Sequence, residues 1–111
     1  MTLPIQHIDI GAITQRVVFE LPAGSTLASV VADGIIAAWT LGVITAKWGN
    51  SRNGPFLAFA SGEASDTTLG PDEDSIAWLN VQGKRYLAFE VTTAEAVTPE
   101  WVRLTVEVDA A

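Results

Sequence analysis

From Leu27 to Ala46 the chain runs for twenty residues with a single formal charge, Asp33. A stretch of that length and character admits three forms: a membrane-spanning helix, a helix buried on every side, or consecutive core strands. A spanning helix tolerates an ionised residue at mid-depth only at high cost. Asp33 lies inside the run, Gly34 and Gly42 punctuate it, and no cluster of Lys or Arg flanks it to set an orientation. A soluble helix would start at Asp33 and align Ile35, Ile36, Trp39, Val43 and Ala46 on one stripe. Ala37, Ala38, Leu41 and Ile44 would then make it apolar nearly all round. Thr40 and Thr45, with the Val and Ile residues, also lower helix propensity. Strands fit better: one over 34–40, and a second over 43–48. In the second, Ile44, Ala46 and Trp48 share one face, and Val43, Thr45 and Lys47 the other.

The other segments alternate more strictly. In "ITQRVVFEL", Ile13, Gln15, Val17, Phe19 and Leu21 face one way, and Thr14, Arg16, Val18 and Glu20 the other. In "RYLAFEVTT", Leu87, Phe89 and Val91 oppose Tyr86, Ala88, Glu90 and Thr92. The clearest case is "WVRLTVEVD", with Val102, Leu104, Val106 and Val108 inward and Arg103, Thr105 and Glu107 outward. "SIAWLNV" and "FLAFA" are shorter. Period two over such lengths marks half-buried strands. The separators "LPAGS", "GNSRNGP", "SGEASDTTLGPDEDS" and "TTAEAVTPE" are rich in turn formers. The expected fold is therefore all-β: one antiparallel, jelly-roll-like β-sandwich over residues 13–111, preceded by a short N-terminal arm over residues 1–12.

Composition narrows the partners. The net charge of −7 repels phosphate backbones and anionic lipid surfaces, so neither nucleic acid nor membrane is expected. Charged residues are only 17% of the chain, against roughly 25% in an ordinary domain. Hydrophobic residues make up 49%, more than a small core needs, which predicts apolar surface buried against other subunits. With no cysteine, disulfides, thiolate zinc sites and thiol nucleophiles are excluded. The opening "MTLPIQHIDIG" has no basic segment and no apolar run of signal length, which predicts synthesis and assembly in the cytoplasm of the host cell.

Candidate chemistry is sparse. The one histidine, His7, has no neighbouring ligand set and no nucleophile-elbow serine to serve. The acidic segment carries Glu63, Asp66, Asp72, Glu73 and Asp74 without the alternating spacing of a calcium loop. It reads as a solvated loop, with calcium binding or paired-carboxylate hydrolysis as lesser alternatives. No glycine cluster matches a phosphate-binding spacing, and no cofactor is expected. Among Trp39, Trp48, Trp78 and Trp101, Trp48 adjoins the polar turn, so Trp48, Asn50, Arg52 and Asn53 form a candidate partner or ligand loop.

"LASVVADGIIAAWTLGVITAKWGNSRNGPFLAF", followed after a gap by "VQGKRYLAFEVTTAEAVTPEWVRLTVEV", resembles a group of small virion-associated proteins of tailed bacteriophages. The shared features are the step Ala37, Ala38, Trp39, Thr40, the turn "NSRNG", the segment Gly83 to Leu87, and an arginine-bearing final strand. Such proteins often carry Pro where this chain has Ile36, and Asp-Gly where it has Asn53-Gly54. The resemblance implies a non-enzymatic β-sandwich of the virion, most specifically a capsid decoration or cement protein. It would bind the major capsid protein or other virion proteins and form a homo-oligomer, a trimer by analogy. Leu3, Ile5, His7, Ile8 and Ile10 of the arm would then lie against a neighbouring subunit. The alternative is a carbohydrate-binding module of a phage tail or fibre, reading a glycan with the Trp48 loop.

Overall fold

The computed structural model describes residues 1–11, 13, 15–33, 39–95 and 101–110. Its strands are β1 (Gln6–Asp9), β2 (Arg16–Glu20), β3 (Ser25–Asp33), β4 (Val43–Gly49), β5 (Leu57–Ala58), β6 (Thr68–Leu69), β7 (Ser75–Asn80), β8 (Tyr86–Thr93) and β9 (Trp101–Ala110). They form two antiparallel sheets. The first has the order β1-β9-β3-β7; the second has β2-β8-β4-β5, with β6 also on β4. The result is the expected all-β sandwich.

Each strand buries the side that its alternation predicts. Val102, Leu104, Val106 and Val108 of β9 are all buried, opposite Ile8 of β1 and Val30 and Ala32 of β3. The second sheet answers with Ile44 and Ala46 of β4 and Leu87, Phe89 and Val91 of β8. Phe19 of β2 meets Phe89 edge to face, ring centroids 5.7 Å apart and planes at 90°. Such a pair adds about 1 kcal/mol beyond its buried area. Ala88 is buried although it points outward, because its methyl lies between its longer register partners Val18 and Lys47.

Several expectations need correction. The strand expected to start at Ile13 starts at Arg16, and Ile13 is 63% exposed in the preceding turn. Of the strand expected over 34–40, residues 34–38 lie outside the described residues, and Trp39 and Thr40 are not in a strand. The strand in that run comes earlier, as β3. The acidic segment is not wholly loop, since Thr68 and Leu69 pair with Thr45 and Ile44.

The largest correction concerns residues 1–12. The N-terminal segment is not a free arm but the edge of the first sheet. Met1 exchanges backbone bonds with Val108, the Leu3 N–H donates to Val106 O at 2.9 Å, and β1 pairs with β9. Leu3, Ile8 and Ile10 are therefore buried in the chain's own core and cannot serve a neighbouring subunit, while Ile5 and His7 stay exposed. The physical reason is β9: unpaired on that side, it would leave a row of backbone groups and the apolar side of the sandwich open to water. Gln6 closes the same side by donating from Nε2 to Val18 O of β2 at 2.6 Å.

One buried acid organises the end of the sandwich after β8. Glu95 is 3% exposed. Its carboxylate accepts from the N–H groups of Thr40 and Leu41, each at 2.7 Å, from Gly42 N–H at 3.3 Å, and from the Thr40 hydroxyl. Its own N–H donates to Ile10 O at 2.7 Å. Burial alone pushes this carboxyl up, but the bonds from Leu41, Thr40 and Gly42 outweigh it and hold it below its ordinary value.

Two outcomes are expected. Deleting residues 1–10 should abolish the cooperative thermal transition followed by circular dichroism; a truncated chain melting within a few degrees of the full one would mean that β1 contributes nothing to the fold. Glu95→Ala should cost on the order of 3 kcal/mol near neutral pH, because it orphans several N–H groups. The carboxyl is depressed, so its stabilisation is full above the ordinary carboxylate pKa and is lost as pH falls toward the lowered value. Urea midpoints of both proteins should converge on acidification, and a gap independent of pH would refute the assignment.

Candidate interaction surface

The outward side of the β2-β8-β4 sheet gathers most of the chain's cations. Arg16 of β2 reaches Glu90 of β8 at 2.7 Å, and Lys47 of β4 reaches the other oxygen of the same carboxylate at 2.8 Å. Burial raises the Glu90 carboxyl, and the bonds from Lys47 and Arg16 more than reverse it, leaving it lowered. Arg16 also lies over the Phe56 ring, 4.7 Å from its centroid. Beyond it, Arg52 and Arg85 lie 5.5 Å and 6.0 Å from the centroid of Tyr86, and Arg52 pairs with Glu20 at 3.1 Å. A guanidinium over a ring can still donate from its edge, as Arg16 does to Glu90 and Arg52 to Glu20.

The β4–β5 turn builds this end. Gly54 adopts φ +83° and its N–H donates to Ser51 O at 3.0 Å. Pro55 and Phe56 pack so closely on Gly49 that a Cβ there would stand 2.9 Å from Pro55 O and 3.0 Å from the Phe56 ring. Of the expected loop, Asn50, Arg52 and Asn53 are exposed on this turn, and Arg52 folds back onto Tyr86. Trp48 separates from them. Its ring packs against the core beneath Lys84, whose Nζ is 4.8 Å from the ring centroid and 3.0 Å from Glu63. The Lys84 ammonium thus lies over the Trp48 ring, and as an inward residue of β4 the partly buried ring packs against the core. The aromatic rings of this surface are Phe56 and Tyr86; alternation sets Tyr86 outward, but nothing in the sequence pairs it with Arg52 or sets Phe56 under Arg16.

The outward side of the first sheet differs. On β3 and its neighbour β7, Leu27, Val31 and Trp78 are exposed at 42%, 45% and 39%. Trp78 lies in an irregularity where β7 slips against β3 between Ala28 and Val30. The charges here are chiefly acidic. Asp33 is held below its ordinary value by the Arg103 bond at 2.7 Å, while Glu107 and Asp109 point out from β9. Trp101 is also exposed, at the start of β9.

The acidic segment is spent locally. Glu63 pairs with Lys84, and Asp66 shares a hydrogen bond with Glu73 that lowers Asp66 and raises Glu73. Among the described residues no three His, Asp or Glu side chains converge on a metal position, and no helix is long and apolar enough to cross a membrane. A cleft of about 450 Å³ opens between the turns at 20–26 and 82–85.

No protein-family model matches the chain, and no curated protein matches it in sequence. Among solved structures, the crystal structure of the SPBc2 prophage-derived protein YomS is similar, with a TM-score of 0.59 and 14% sequence identity over 98% of this chain and 96% of that one. At that identity the likeness is one of fold, extending over the whole sandwich including β1.

Arg52→Ala and Arg85→Ala should each change stability by less than about 0.5 kcal/mol, since exposed charges contribute little to folding. A thermal melt checks this, and a large loss would make both residues structural instead of available for contact.

Proposed function

We propose that the chain is a non-enzymatic structural protein of a tailed-phage particle, and within it a head decoration protein that binds across capsid subunits. The observation that carries the reading is the pair of outward sheet faces. One sets exposed Leu27, Val31 and Trp78 among carboxylates, and the other sets arginines on Phe56 and Tyr86. Apolar and arginine–aromatic side chains held on a rigid sheet are the chemistry of contact surfaces. The whole-length likeness in fold to a prophage-derived protein agrees with this reading.

The mechanism is selective binding to the assembled lattice. A protein that touches two capsid subunits at once stabilises only the state in which both are in place. With residues 1–10 committed to the sandwich, docking uses the strand faces and turns instead of an arm. The carbohydrate-binding alternative has less support, because the ring expected to stack on sugar, Trp48, is covered by Lys84.

Mixing the purified protein with heads of the phage that encodes it, followed by sedimentation, tests the proposal. Pelleting with heads in a fixed ratio to the major capsid protein is expected, and heads so decorated should resist heating better than bare ones. Protein that stays in the supernatant at saturating concentration would reject the decoration role.

A further inference from the structure

We infer that the outer face of the β1-β9-β3-β7 sheet docks on the outer face of the β2-β8-β4-β5 sheet of a second copy of this chain. Charge is partitioned between the two faces. Four of the six cations in a chain of net charge −7 lie on the outer side of the second sheet or at its turn end: Arg16, Lys47, Arg52 and Arg85. The outward carboxylates there, Glu20 and Glu90, are each already bound by a cation. On the first sheet, β3 and β9 turn Asp33, Glu107 and Asp109 outward; Arg103 is bound to Asp33, and the Met1 ammonium lies 3.8 Å from Glu107. One face is basic and the other acidic.

The apolar parts match as well. The acidic face offers Leu27, Val31 and Trp78, which water covers only at a cost, and the basic face offers Tyr86 and Phe56 beneath guanidinium planes. Trp, Tyr and Arg are the side chains that most often dominate interface energy. The molecule measures 40 × 26 × 24 Å, so a sheet face offers roughly 1,000 Å², enough for the 800 Å² or so per partner of a standard interface.

Pairing like faces would set carboxylates against carboxylates or arginines against arginines, which disfavours a two-fold dimer. Acidic on basic is heterologous association: every copy uses one face as donor and the other as acceptor. The two faces lie on opposite sides of the sandwich. Successive copies therefore stack, and the stack stays open or closes as a ring of many copies. A trimer would need contact patches turned by a third of a revolution from each other, which opposite faces do not supply. These are the faces assigned above to head binding, so a face buried between copies is closed to a capsid subunit, and only the outer faces of the end copies remain open to one.

Sedimentation velocity on the purified protein provides the test, over about 10 μM to 1 mM and at roughly 0.02 and 0.5 M salt. Species larger than two copies should grow with concentration and recede with salt. Two double variants, each shown by its melting curve to be folded, then separate the faces. Val31→Thr/Trp78→Ser removes the anchors of the acidic face, and Arg52→Glu/Arg85→Glu inverts the basic face. Each variant alone should be monomeric. Mixed in equal amounts they retain one intact face of each kind and should give a one-to-one dimer and nothing larger. A wild type that stays monomeric throughout, a variant that still assembles alone, or a mixture that stays monomeric or grows past two copies would each overturn the inference.

Discussion

The dry layer between the sheets rests on β9 being paired on both sides at once. Its inward residues Val102 and Leu104 stand opposite Ile8 and Gln6 of β1, and Val106 and Val108 opposite Val30 and Ala28 of β3. Side chains alternate with a period of two, so a slip of one residue would turn Arg103, Thr105 and Glu107 into the core and four aliphatic residues out of it. Two partners must accept the same register. This fixes where Leu3, Ile8 and Ile10 enter the core, and hence how the β1–β2 side of the sandwich closes.

Buried charge is confined to places where it does structural work with its partners in reach. Glu95 trades water for the N–H groups at residues 40–42. Lys84, only 8% exposed at its side chain, trades it for Glu63 and two ring faces. In both cases a lone ion would be costly to bury, and the neighbouring donors or acceptors offset that cost. The remaining ion pairs lie outside, where they shape the electrostatic character of the two faces more than they stabilise the fold.

Much of the sandwich was legible in the alternation. The core faces of β4, β8 and β9 and of Phe19 on β2 follow from period two alone, and the turns around Gly24 and Gly54 from their turn-forming residues. β3 was harder to read because Leu27 and Val31 are apolar on its outward side, so both faces look like core and the period vanishes. The residues that obscured the strand are the ones the structure leaves exposed. β1 was hidden for another reason: its four residues carry little pattern, and their partner lies nearly a hundred positions away in the chain. Glu95 gave no signal at all, since the groups that satisfy it are backbone N–H groups. Of the candidate loop, Asn50, Arg52 and Asn53 are exposed, while Trp48 takes the side that its alternation with Ile44 and Ala46 implies and not the side that adjacency to the turn suggests.

Most connections pass from one sheet to the other; among the described strands β4–β5 and β5–β6 stay within one sheet, and of consecutive strands β4 and β5 pair directly. A ribosome delivers the chain from its N-terminus, and domains generally fold as units when their segments become available. Here β1 and β3 wait, edges bare, for β9, which emerges last of the nine. Translation therefore yields no half-built sandwich. The first sheet closes only after residue 108 has left the exit tunnel, in a single long-range step of the kind that makes β topologies slow to fold. During that interval the inward residues of β3 are without their β9 neighbours, and chaperone demand should be concentrated in those seconds of synthesis.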